Sequence, residues 1–153
     1  MSEPNYAGNI IIILANLPDF LRTPILKKRL MEFFSMSEAE KVELINNALE
    51  AGPSIPFANF SKLFKTWLEV LSTVNEEQRT MIFSSYINEI VKVPQKLISF
   101  NLDGILEIFT SLEPSTKSIL ANSIRNIISR LEENPKKKMF LVIPENAKKH
   151  LGI

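Results

Sequence analysis

Cysteine is missing from the 153-residue sequence, which excludes disulfides, thiolate metal sites and cysteine nucleophiles and agrees with a reducing compartment. Histidine occurs once, as His150, so a Ser–His pair or a histidine metal site would stand on a terminal segment, where chains are poorly held. Gly8, Gly52, Gly104 and Gly152 lie far apart, so there is no glycine-rich phosphate loop and nucleotide hydrolysis of that kind is excluded. The longest apolar run, Ile10 to Ala15, is far short of the roughly 20 residues that span a bilayer. Residues 1–9 hold Glu3 and no Lys or Arg, which disfavours a secretory leader. The expectation is a cytoplasmic protein that is not an enzyme, uses no cofactor and no metal, and does not favour a membrane as partner.

What is present is the composition of an ordinary globular chain, 45% hydrophobic and 23% charged, well away from the disordered range. One domain over residues 1–153 is expected, since a chain of this length buries about two thirds of its unfolded surface. Charge is nearly balanced at +1 but unevenly placed. From Arg125 onward seven basic residues face three acidic ones, a local +4, and the preceding residues therefore carry 11 basic against 14 acidic. A basic C-terminal segment is thus one candidate surface.

Three segments repeat one pattern of apolar, Glu, apolar, apolar, small hydroxyl. They are Met31-Glu32-Phe33-Phe34-Ser35, Leu68-Glu69-Val70-Leu71-Ser72 and Leu106-Glu107-Ile108-Phe109-Thr110. Their glutamates fall at 32, 69 and 107, a nearly constant period of the length typical of two-helix units. Each is followed by a helix-start signal. Ser37 with Glu40 and Asn75 with Gln78 have capping-box spacing, and Pro114 suits a first helical turn, where its missing N–H is not needed. A basic residue then recurs at Lys41, Arg79 and Lys117. Phe60, Leu63, Phe64, Trp67, Leu68 and Leu71 fall at helical spacing on one face, which makes Trp67 a core residue. The best strand candidate, Met139 to Ile143, has no second strand to pair with.

The expected fold is all-α: three tandem helical hairpins of about 37 residues, over 24–52, 56–91 and 94–131, with terminal pieces 1–22 and 135–153. Thr23-Pro24 opens the first unit, Gly52-Pro53 closes it, Pro56 and Pro94 precede the next two, and Asn134-Pro135 ends the last long helix. About eight helical pieces result, including short ones near 9–16 and 145–151. The first of these is apolar nearly all round and is expected to bury against the first unit as a cap. Such a tandem resembles the HEAT-like and related alpha-hairpin repeat proteins over residues 24 to 131, in architecture alone. The tetratricopeptide pattern is not met, because Trp67 lacks the Leu-Gly and Tyr that should follow it. The units stack as a short solenoid or close into a compact bundle.

Without catalytic equipment, the sequence points to a protein-protein interaction or adaptor module, with a second copy of itself among the candidate partners. The candidate partner-binding face is the recurrent small polar pair of each second helix, Asn46-Asn47, Ser84-Ser85 and Asn122-Ser123. These residue types compete for the backbone in mid-helix and so need another reason to be there. The alternative is a nucleic-acid-binding accessory protein using the basic patch Lys136, Lys137, Lys138, Lys148 and Lys149, with Phe140 as a stacking platform. Glu32, Glu69 and Glu107 would form a row in a stack of units, and they are expected to pair with Lys41, Arg79 and Lys117 across each hairpin. Such surface pairs contribute about 0–1 kcal/mol. Tyr6 and Phe20 lie outside the units and are free to act as anchors.

Overall fold

Seven helix starts fall at equal intervals along the chain. Asp19, Glu38, Phe57, Glu76, Gln95, Pro114 and Glu133 each begin a helix, and each number exceeds the last by 19. The computed structural model that gives these boundaries describes residues 6–151, with side chains from residue 11 onward. Its helices are α1 (Tyr6–Ala15), α2 (Asp19–Phe34), α3 (Glu38–Ala51), α4 (Phe57–Leu71), α5 (Glu76–Lys92), α6 (Gln95–Ile98), α7 (Leu102–Thr110), α8 (Pro114–Ser129), α9 (Glu133–Val142) and α10 (Glu145–Leu151). A 3-10 turn, Gly52–Ser54, follows α3. The fold is all-helical, with no strand among the described residues.

The caps set these boundaries. Ser37 accepts from the Glu40 amide while the Glu40 side chain accepts from the Ser37 amide, both at 3.2 Å, a complete capping box at α3. Asn75 accepts from the Gln78 amide at 2.8 Å, and Pro114 occupies the first turn of α8. Each cap satisfies a backbone donor that a helix start leaves free. Two positions before every start in this series stands an apolar side chain: Leu17, Met36, Ile55, Val74, Val93, Leu112 and Leu131. Ile55 and Leu112 are buried, and Val93 is exposed. The step from 95 to 113 is interrupted at residues 99–101, where Asn101 caps α7 by accepting from the Gly104 amide.

Packing runs mainly along two sets of helices, with α6 and α9 set against α3, α5 and each other. α1 lies on α3, α2 on α4, α3 on α5, α4 on α7, α5 on α8, and α8 on α10. This sorts α1, α3, α5, α8 and α10 into one row and α2, α4 and α7 into a second. The core between them is continuous from Leu14 to Met139. Gly52 lets the rows come close: a Cβ there would sit 2.5 Å from the Phe100 ring, so a side chain at this position would push that ring aside.

Several expectations are corrected. Thr23-Pro24 does not open a unit, because α2 starts at Asp19 and contains Pro24. The proline costs one backbone bond, at an exposed stretch where water can serve the freed carbonyl. Pro135 does not end the last long helix: α8 stops at Ser129, and Pro135 lies in the first turn of α9, where its missing N–H is unimportant. Met139 to Val142 are helical, with Met139 buried and Leu141 85% exposed. Over its described side chains, residues 11–15, α1 is covered on one side, with Leu14 and Ala15 buried while Ile13 is 60% exposed. Glu32 is one position out of register with Glu69 and Glu107. Counted from the helix starts, its equivalents are Val70 and Ile108, both buried.

Candidate functional site

The turns between rows are closed by cations. At Arg79, the fourth residue of α5, Nη1 donates to the carbonyls of Leu71 at 3.1 Å and Val74 at 2.7 Å, and Nη2 to Glu76 at 2.8 Å. At Arg22, the fourth residue of α2, the same offsets recur: Nε donates to the Leu14 carbonyl at 3.0 Å, and the two terminal nitrogens to the Leu17 carbonyl and the Asp19 carboxylate. In both, a buried guanidinium reaches back to the same three offsets and so serves the free carbonyls that end the preceding helix. Lys117 does less, donating to the Thr110 carbonyl at 3.3 Å. Lys41 donates to Glu38 at 3.5 Å and lies 5.7 Å from the centroid of the Phe33 ring. Lys41, Arg79 and Lys117 therefore do not pair with Glu32, Glu69 and Glu107 across the hairpins. Glu32 pairs with Arg29 of its own helix at 3.2 Å, and Glu69 and Glu107 are exposed.

The recurrent small polar residues divide among several tasks. Ser123 is fully buried and accepts from Arg79 Nε at 2.9 Å. Its single hydroxyl proton can go to the Glu76 carboxylate at 3.1 Å or to the Ile119 carbonyl at 3.2 Å, which ties α8 to α5. The Arg79 hydrogen bond and, secondarily, that of Ser123 hold the Glu76 carboxyl below its ordinary value against the opposing effect of burial. Asn46 donates to Glu89 at 2.9 Å and to the Val42 carbonyl at 2.9 Å, and accepts from Lys96, so it links α3 to α5 and α6. Lys92 donates to the same buried Glu89 at 2.8 Å. Hydrogen bonds from Lys92 and then Asn46 lower its pKa. Asn47, Ser84 and Ser85 are half-buried, and Ser85 donates to the Met81 carbonyl at 2.8 Å. Asn122 is exposed and accepts from Arg125.

The basic patch is similarly dispersed. Lys136 is half-buried while Lys137 and Lys138 are exposed, and consecutive helical residues point about 100° apart. Lys148 donates to Glu145 at 2.9 Å and lies 5.4 Å from the centroid of the Phe140 ring, covering the proposed stacking platform. Lys149 is exposed. Phe20 is 76% exposed, and the side chain of Tyr6 lies outside the described residues.

Between the two rows runs an apolar cleft of about 590 Å³, a volume suited to small-molecule ligands. Its wall is built in register with the helix starts. Arg29, Ala48, Trp67, Tyr86, Ile105 and Ile124 stand one step of that series apart and all line it, as do Leu14, Phe33, Gly52, Leu71, Ile90 and Phe109, spaced in the same way. Its polar side chains are Arg29, Glu32, Trp67 and Tyr86. Neither the Trp67 indole N–H nor the Tyr86 hydroxyl has a hydrogen-bond partner among the described residues, whereas every fully buried side-chain polar atom there has one. Neither tip is therefore fully sealed, although the Tyr86 ring itself is largely buried in the cleft wall. Burial pushes the Tyr86 phenol up to about 12.

A second cavity of about 290 Å³ adjoins the far end, lined by Phe109, Lys117, Ser118, Ala121, Asn122, Arg125 and His150. It contains no acidic side chain. Among the described residues no three His, Asp or Glu side chains group as a metal site, and no helix is long and apolar enough to cross a membrane. Sequence reasoning read Trp67 as core, and it does pack against the core while also lining the cleft; it read Arg22 only as one of a basic cluster with Lys27, Lys28 and Arg29. The signals that find them are the equal spacing of Arg29, Trp67 and Tyr86 with the helix starts, and the match of Asp19-x-x-Arg22 to Glu76-x-x-Arg79. No family model, curated protein or solved structure matches this chain.

Proposed function

We propose that this protein is a non-enzymatic binding module, a short two-row stack of helices that takes its ligand in the cleft between the rows. The observation that carries this reading is the register: the same positions of successive helices turn toward one continuous apolar cleft. The polar side chains of that wall are an ion-paired Arg29 and Glu32, an indole and a phenol, which do not make a nucleophile with its base. They suit holding a molecule rather than transforming one. The stack reading rests on the packing of α1, α3, α5, α8 and α10 along one row and of α2, α4 and α7 along the other.

Trp67 is the single tryptophan and lines the cleft, so its emission reports occupancy. Titration with dodecanol, kept below its solubility limit, is expected to shift Trp67 emission saturably at one equivalent. Ala48→Phe, which fills the neighbouring position of the wall, should abolish the shift. A change that does not saturate, or that persists unaltered in Ala48→Phe, would remove the cleft as the binding site.

A further inference from the structure

The two cavities share a lining residue at one end of the stack. Phe109 lines both, Ile124 lines the cleft while its neighbour Arg125 lines the smaller cavity, and Leu151 and His150 divide in the same way. Beyond Phe109 the smaller cavity is lined by Lys117, Arg125 and His150 with no carboxylate among them. The opposite end carries Arg29, but there Glu32 answers the charge at 3.2 Å. Positive potential along the cleft is therefore polarised toward Arg125, because an unopposed cation attracts an anion where a paired one does not.

The cations at that end have capacity to spare. Arg125 donates to Asn122 and, at 3.5 Å, to the Leu151 carbonyl, which leaves most of its five N–H donors for another acceptor. Lys117 uses one of three, and His150 has no hydrogen-bond partner among the described residues. A planar guanidinium beside an ammonium suits a flat, two-oxygen anion. The size of the cleft decides what is attached to that anion. A ten-residue helix is a cylinder about 15 Å long and at least about 10 Å across, roughly 1,200 Å³, twice what the cleft offers. A single slender hydrocarbon chain fits within that space, whereas a helix would fill it and stand out of the open side.

We infer that the ligand is a long-chain carboxylate, its hydrocarbon chain in the apolar cleft and its head on Lys117, Arg125 and His150. This rests on the cleft reading above and adds the charge and the polarity of the bound molecule. The half-buried Phe109 ring marks the boundary that the chain passes where the head leaves the cleft.

The test compares dodecanoate with dodecanol on the full chain, read by Trp67 emission. Charge-assisted hydrogen bonds should make the carboxylate bind about tenfold more tightly or better. In the double variant Lys117→Gln/Arg125→Gln that advantage is expected to vanish while dodecanol binds as before, which also shows that the variant has kept its cleft. Equal binding of the two by the native protein would overturn the headgroup assignment and leave the cleft reading standing. An advantage that survives in the double variant but is lost in Arg29→Gln would reverse the polarity and overturn it equally. Failure of both molecules to bind would remove the cleft reading and this inference together.

Discussion

At the turn between α4 and α5 the Arg79 guanidinium meets four acceptors, the Leu71 and Val74 carbonyls, Glu76 and Ser123. In the cleft, the Trp67 indole and the Tyr86 hydroxyl meet none among the described residues. Both regions are made by the same regular spacing, yet one uses four of its five donors and the other leaves its polar tips open. A joint that must hold two rows at a fixed angle gains from having no alternative partner. A surface that must accept something else gains from having partners to offer. The contrast separates residues that hold the stack from residues that face a ligand, and it can be attacked from either side.

The largest effect belongs to the joint. Arg79→Met should lower unfolding stability by about 2–4 kcal/mol, since it leaves the buried Ser123 and two carbonyls short of their donor while the exposed Glu76 turns to water. Urea unfolding measures it, and a loss under about 1 kcal/mol would make the joint incidental. Lys117→Met, which removes one bond of 3.3 Å, should cost no more than about 1 kcal/mol. On the cleft side the sign reverses. Ala48→Leu adds apolar groups where there is room for them, and a gain of about 1 kcal/mol is expected in the same measurement. Destabilisation instead would mean that the wall is already close-packed there.

The smallest effects are those of pH, and they fall at opposite ends of the scale. The Glu76 carboxyl is lowered from 4.5 by Arg79, so the stability it contributes is present above 4.5 and is lost as pH falls through the lowered folded value. Glu76→Gln should flatten acid unfolding there. The Tyr86 phenol is raised from 10 to about 12 by burial. Its contribution is intact below pH 10 and is lost as pH rises from 10 through about 12, because the unfolded chain releases that proton first. Tyr86→Phe should abolish this alkaline loss, and phenolate absorbance should show one late-titrating tyrosine in the native protein and none in the variant.

Helix content was legible because its signals are local. Ser37 with Glu40, Asn75, Pro114 and the segment 145–151 carry their own starting information, and the structure uses each as read. Pro24 and Pro135 misled, because a proline ends a helix only where the backbone has no other recourse, and both sit near exposed helix beginnings. The run Met139 to Ile143 reads as a strand by residue type, but a helix turns Met139 inward and Leu141 out, a distinction made by the neighbours. The site was the least legible part. Arg22 and Arg79 find their acceptors on preceding helices, and the Glu32 motif sits one position out of step with its apparent partners. An apolar position facing a cleft has the same letter as one facing a packed core.

The constant step between helix starts also governs how such a chain can change its length. Short turns join antiparallel neighbours, so each step crosses to the other row and reverses direction. Removing one step would turn every later helix to the wrong row with its cleft-facing residues pointed elsewhere. Removing two, for example 57–94, restores both row and direction and shortens the cleft by one hairpin. The stack is in this sense a ruler graduated in double steps, and under the proposed reading the length of cleft open to a ligand follows from how many graduations the chain contains.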